Sequence, residues 1–221
     1  MITLTFDGQA CFALKSDNTT LLFDPFFTGN PVNTTNVNEI ECNYILVSHG
    51  HGDHLGDTVD IAKRTGATVI ATAELAALVG QQDCANISMH LGGKRSFDFG
   101  YIRITPAFHG SGVPGGHAAG FIVNFFGKTI YFAGDTALFG DMSLLGRLEK
   151  IDYALLPIGD NYTMGPDDAI EAVKLLNPRT VIPMHYNTWP LIAQSPEYFK
   201  ENVEALNIPV HIMNPGQSID L

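Results

Sequence analysis

Ser48-His49-Gly50-His51-Gly52-Asp53-His54 follows directly on the apolar run Tyr44-Ile45-Leu46-Val47, and the reading of this junction decides the fold. A short continuous apolar run is what a strand buried on both faces requires. Four side chains able to bind a metal ion, His49, His51, Asp53 and His54, then fall within six residues. The strand ends at Val47, and the two glycines let the backbone turn sharply enough for alternate side chains to converge on one point. With eight histidines in 221 residues, chance supplies such a set in on the order of one chain in a thousand. The stretch therefore reads as the floor of a metal site, and it needs partners.

Those partners are sought at the ends of later strands, where loops meet at one rim of a scaffold. His109 follows Thr105-Pro106-Ala107-Phe108, Asp135 follows Tyr131-Phe132-Ala133-Gly134, and His185 follows Val181-Ile182-Pro183-Met184. Each alone is a weak signal, because a polar residue after a strand is commonly a turn or a helix cap. All three share one architectural position with the first motif.

Alternation and turn signals give strands at 2–6, 10–15 and 20–23, then at 44–47. A helix at 57–64, a strand at 69–71 and a helix from Thr72 to Gly80 follow. Strands at 86–89, 94–97, 101–106, 118–126 and 128–133 make the middle of the chain mostly β. The pattern then switches to helices at 141–149, 166–176 and 196–207 between strands at 153–157, 180–184, 209–213 and 217–220. Each half runs from strands to strand-helix units, which predicts two packed sheets with helices on their outer faces. The whole chain, 1–221, is expected to form one domain.

The net charge of −11, with 12 Lys+Arg against 23 Asp+Glu, argues against nucleic acid as substrate, since phosphate-backbone affinity is largely electrostatic. Cys11, Cys42 and Cys84 are odd in number and widely spaced, so neither a disulfide framework nor a thiolate metal site is expected. The strand pattern at the N-terminus and the lack of a long apolar segment make the cytoplasm the expected location, with no membrane partner.

The His-x-His-x-Asp-His stretch, the later lone His109, Gly134-Asp135-Thr136 and the last His185 together resemble the metallo-β-lactamase superfamily over essentially the whole chain. The segments 106–109, 134–141 and 165–169 resemble the compact metal-dependent hydrolases related to ascorbate-6-phosphate lactonase. The resemblance implies an α/β four-layer αβ/βα sandwich with the site at one edge between the sheets. It also implies two metal ions, one held by His49, His51 and His109, the other by Asp53, His54 and His185, with Asp135 bridging.

Imidazole and carboxylate donors suit zinc, manganese or iron, and three protein ligands per ion leave positions open for water and substrate. The expected activity is hydrolysis of a small ester, lactone, amide or phosphoester by a metal-bound hydroxide, with an anionic small molecule among the candidate substrates. Asp53 and Asp135 are the catalytic candidates, since Asp53 can steer that hydroxide or carry a proton to the leaving group. His117, after a glycine-rich loop, is a candidate proton donor or substrate contact, against the alternative of a strand-start histidine. Asp24 has two readings, a partner for the free N–H of a ligand histidine or an Asp-Pro turn. Residues 161–164, together with Tyr186, Asn187 and Trp189, are candidates for the substrate wall, and His90 and His211 read as structural. The loop 110–116 lacks the lysine of a phosphate-binding loop and reads as a segment at the site. A diiron redox protein and a non-catalytic metal-dependent binding module are the rival readings, and assembly of identical subunits is compatible with the resemblance.

Overall fold

Apolar residues alternating with a period of two point to opposite faces of a sheet, and in this chain both faces are used. In the computed structural model, which describes Met1–Leu221, strands β1 (Thr3–Phe6), β2 (Phe12–Ser16) and β3 (Thr19–Phe23) form an antiparallel meander. Strand β4 (Tyr44–Leu46) lies parallel to β3, and β5 (Thr68–Thr72) and β6 (Asn86–Met89) continue in parallel. Parallel neighbours need crossovers. Helices α1 (Gly52–Leu55) and α2 (Thr58–Thr65) join β4 to β5, and α3 (Ala73–Gly80) joins β5 to β6.

The second sheet opens with the antiparallel strands β7 (Lys94–Phe97), β8 (Gly100–Pro106), β9 (Ala119–Phe125) and β10 (Lys128–Phe132). It ends with the parallel strands β11 (Tyr153–Pro157) and β12 (Thr180–Met184), reached through α4 (Met142–Leu148) and α5 (Pro166–Leu176). After α6 (Pro196–Glu204), β13 (Gln217–Asp220) returns to pair with β1. The sheet orders are β13-β1-β2-β3-β4-β5-β6 and β12-β11-β10-β9-β8-β7.

Side-chain alternation divides the interior into three cores, and three cores separate four layers. Along β4 and the residue after it, Ile45 and Val47 pack outward against α2 and α3 while Leu46 faces the other sheet. Along β10, Ile130 and Phe132 face inward and Tyr131 packs outward with α5 and α6 residues such as Val173 and Phe199. Phe132 sits at the middle of the central core, its ring centroid 5.1 Å from that of Phe23 in the facing sheet. The expected αβ/βα sandwich is thus the observed architecture. No helix is long and apolar enough to cross a membrane.

Three local expectations are corrected. The segment 209–213 is not a strand; only Val210 bridges to Val181, and Pro209 lacks the N–H group a ladder needs. Helix α6 stops at Glu204, ahead of Asn207 in a left-handed conformation. The histidine loop is not irregular throughout: its second half is the helical turn α1, with the amides of His54 and Leu55 donating to the His51 carbonyl.

Candidate active site

Four elements deliver polar residues to one edge. His49 lies three residues beyond the end of β4, His109 three beyond β8, Asp135 three beyond β10 and His185 one beyond β12. Because β8 and β10 both run opposite to β9, and β12 runs with β10, these strands end on the same side of their sheet. The Ala119 amide donates to the Ser48 carbonyl at 3.0 Å, fastening the end of β4 to the start of β9 and so one sheet to the other. Gly134, at φ +61°, is where the two meet; a Cβ there would lie 2.7 Å from the Ala119 carbonyl oxygen and 3.0 Å from Ser48 Cβ.

At this edge His49 Nε2 stands 2.9 Å and His109 Nε2 3.2 Å from His51 Nδ1. Beside this trio, Asp53 Oδ2 lies 3.4 Å from His54 Nε2 and 3.5 Å from His185 Nε2. Asp135 stands between them. Its Oδ1 is 3.3 Å from His54 Nε2, and its Oδ2 is 3.1 Å from His185 Nε2 and 3.5 Å from His109 Nε2. Two nitrogen donors on one tetrahedral zinc ion stand about 3.4 Å apart, so the second set has that spacing and the first is slightly tighter. All seven predicted ligand residues are brought together.

The buried atoms that face one another here are not satisfied by one another. His54 Nε2, His185 Nε2 and Asp135 Oδ1 are shielded from solvent and have no hydrogen-bond partner. Buried polar atoms are rarely left so, and an ion among them is one remedy.

Charge follows from the same crowding. Burial, then repulsion from His54, pushes His49 down to about 2, and burial also lowers His109. Burial opposes charge on His185, yet the Asp135 carboxylate outweighs it and holds this imidazole up at about 9. Burial alone would raise Asp53 and Asp135, but the imidazoles of His185 and His54 prevail and hold both carboxyls below the usual carboxylate range.

A second tier of groups fixes the ring orientations. Asp24, wholly buried, accepts from the Ser48 amide (2.7 Å) through Oδ1 and from Ser48 Oγ and His54 Nδ1 (2.6 Å) through Oδ2. Ser48 Oγ lies 2.9 Å from His49 Nδ1. With Nδ1 engaged on both His49 and His54, Nε2 is the atom turned to the site. Asp24 could be counted with His49 and His54 as a third ligand trio, but its oxygens are already committed, so it orients His54 rather than facing an ion.

Gln9 was not foreseen from the sequence. Its Nε2 donates to Asp53 Oδ2 at 2.9 Å, its Oε1 accepts from Thr188 Oγ1, and its carbonyl accepts the His185 amide at 2.7 Å. Among the non-glycine residues with positive φ, only Gln9 (+57°), Asp24 (+40°) and His185 (+54°) are buried. Backbone strain of this kind persists where surroundings hold it, and it gathers at functional sites.

The profile of the beta-lactamase superfamily domain matches residues 19–186. The chain belongs to that superfamily. A UPF0173 metal-dependent hydrolase of Pelotomaculum thermopropionicum is 50% identical over 227 residues, covering 99% of each chain. Another, from Symbiobacterium thermophilum, is 50% identical over 219 residues and covers 97% of each. Among solved structures, Igni18, a novel metallo hydrolase from the hyperthermophilic archaeon Ignicoccus hospitalis, superposes with a TM-score of 0.93 at 36% identity, covering 99% of this chain and 97% of that one.

In this superfamily member five of the seven residues line a cavity of about 690 Å³, with His49 and His54 buried behind them. His51, Gly52, Asp53, His109, Asp135 and His185 line one side, and Phe26, Tyr162, Trp189, Leu191 and Ile192 form the other. Tyr162 and Trp189 were expected there. Met164 is buried in the core behind it, and Tyr186 and Asn187 line a smaller recess of about 290 Å³ on the far side of Gln9. His117 does not join the site. It is exposed beside His90, ring centroids 5.6 Å apart, and its carbonyl accepts from Thr72 Oγ1 at the end of β5 (3.3 Å). The glycine-rich loop before it serves the site from behind: Gly112 packs on Gly50, and the Gly50 amide donates to the Ser111 carbonyl at 2.8 Å.

Proposed function

We propose that the chain is a metal-dependent hydrolase that holds two divalent cations, zinc or manganese with iron also compatible, and directs activated water at a small ester, lactone, amide or phosphoester. The observation that carries this reading is the convergence of seven imidazole and carboxylate groups from both sheets around buried, unpartnered His54 Nε2, His185 Nε2 and Asp135 Oδ1. His49, His51 and His109 would hold one ion and Asp53, His54 and His185 the other, with Asp135 shared. The relatives named as metal-dependent hydrolases support the same reading.

Ions so held supply Lewis acidity and lower the pKa of water towards neutrality. The protein's own part is placement. Asp24 and Ser48 turn His54 and His49 to the site, and Gln9 restrains one oxygen of Asp53, leaving Oδ1 as the proton carrier for a leaving group. The three cysteines are free and buried, in keeping with a reducing compartment such as the cytoplasm.

The test is metal analysis combined with turnover. Purified protein, stripped by chelation and reloaded, is expected to take up about two equivalents of zinc or manganese and to hydrolyse a bis-aryl phosphodiester or an aryl ester only when loaded. Asp135→Ala is expected to lose at least a hundredfold in rate. Hydrolysis that persists after complete metal removal sinks the proposal. Full metal loading with no turnover across esters, amides and phosphoesters leaves a binding module, and oxygen consumption with iron alone leaves a redox protein.

A further inference from the structure

The wall opposite Asp53 and Asp135 is chemically one-sided. Phe26 and Trp189 face each other with ring centroids 6.1 Å apart, Ile192 closes the base, and Leu191 and Tyr162 flank the mouth with 60% and 56% of their surface exposed. None of the chain's twelve lysines and arginines lines the cavity. A charged group entering beyond the reacting atoms would leave water for aromatic and aliphatic surface without a counter-charge, which is strongly unfavourable. It would also approach a protein of net charge −11, a field that repels anions.

This wall is built in advance. Pro190, Leu191 and Ile192 form a single 3₁₀ turn, closed by the Asn187 amide donating to the Ile192 carbonyl (3.0 Å) and the Gln194 amide donating to Asn187 Oδ1 (2.9 Å). Large apolar side chains left exposed at the mouth of a preformed cavity are surface awaiting a partner.

We propose that the substrate is an uncharged acyl compound, a carboxylic ester, lactone or amide, whose hydrocarbon substituent lies against Phe26, Trp189, Leu191 and Ile192. The phosphorylated, anionic substrates that the sequence resemblance brought into view would place charge against this wall. For the bond broken the inference rests on the hydrolase reading above; for the wall it does not. In the reaction the oxygen of water bonds to the acyl carbon, the bond from that carbon to the leaving oxygen or nitrogen breaks, one water proton ends on the departing alcohol or amine, and the other leaves as the product carboxylic acid ionises.

Two measurements on metal-loaded protein test the two parts separately. Trp189 is the only tryptophan, so its fluorescence reports occupancy of the wall without any turnover. Titration with neutral methyl ketones from butanone to decanone is expected to show affinity rising about fourfold per methylene until the cavity is filled. In parallel, kcat/KM for p-nitrophenyl esters from acetate to octanoate is expected to rise with the same slope. The hexanoate ester should exceed the adipate monoester, which carries a carboxylate at its far end, by at least tenfold. Leu191→Asp is expected to cut the octanoate-to-acetate ratio at least tenfold, with melting temperature and metal content as checks on folding. A flat ketone series, or an adipate ester turned over as well as the hexanoate, overturns the proposal. A steep ketone series with no ester, lactone, amide or phosphoester hydrolysed retains the apolar site and overturns the hydrolase reading instead.

Discussion

At the scale of single residues, Gln9 is the most consequential position that the sequence left unmarked. It holds Asp53 through its side chain and His185 through its carbonyl, two of the three groups assigned to one ion. Gln9→Asn tests this cleanly, because asparagine tolerates the left-handed backbone at φ +57° but is one methylene too short to reach Asp53. The expected result is a loss of about 10- to 100-fold in affinity at one of two metal sites, read as a fall from two equivalents towards one at buffered zinc concentration. Unchanged loading would reduce Gln9 to a packing residue. Four of the seven ligand candidates were legible because they fall within six residues behind an apolar run, and His109, Asp135 and His185 because each follows a later predicted strand. Gln9 and Asp24 were not, or only in part, because a polar residue beside Asp7-Gly8 or before Pro25 carries the ordinary signature of a turn. His117 shows the converse, since histidine after glycines looks the same whether its loop enters a cavity or runs past one.

At the scale of elements, the histidine loop depends on a second loop that meets it backbone to backbone. A Cβ on Gly112, at φ +65°, would fall 2.5 Å from the Gly50 carbonyl carbon and 2.7 Å from the His51 amide nitrogen. Gly115, at φ +74°, has nothing within 4 Å of its would-be Cβ. Both alanine variants incur the left-handed backbone cost of about 1–2 kcal/mol. Only Gly112→Ala should also push on the His51 backbone, so it is expected to lose clearly more stability to urea than Gly115→Ala and to weaken metal binding, which Gly115→Ala should leave alone. Equal effects of the two would show that the close approach is immaterial. The strands and long helices were readable from periodicity, whereas this contact was not, because it joins backbones 62 positions apart and backbones carry no sequence pattern. The apolar wall was foreseen only at Tyr162 and Trp189, for a related reason: Phe26, Leu191 and Ile192 look like core residues until the fold brings their two segments to one cavity.

At the scale of the whole molecule, the candidate ligands divide between the halves of the sandwich. His49, His51, Asp53 and His54 follow β4 of one sheet, and His109, Asp135 and His185 follow β8, β10 and β12 of the other. Each assigned trio draws on both. An ion that binds only the folded state stabilises it by about 2.7 kcal/mol at a free concentration a hundredfold above its dissociation constant. Chelation is therefore expected to lower the melting temperature of this 221-residue chain by at least several degrees, and readdition of zinc or manganese to restore it. A melting temperature indifferent to chelator would mean that no cation binds the folded state in preference to the unfolded one, and would count against the assigned trios.

The carbonyl of Ser48 and the amide of Ala119 join the same edge with one bond, and the central core packs sheet on sheet below it, so the sandwich is closed before any cation arrives and a cation adds to that closure. A chain made while metal is scarce would thus be folded yet less stable than the loaded one, and proteases act on what opens. The amount of the protein in a cell should then follow its metal supply, with no dedicated sensor needed.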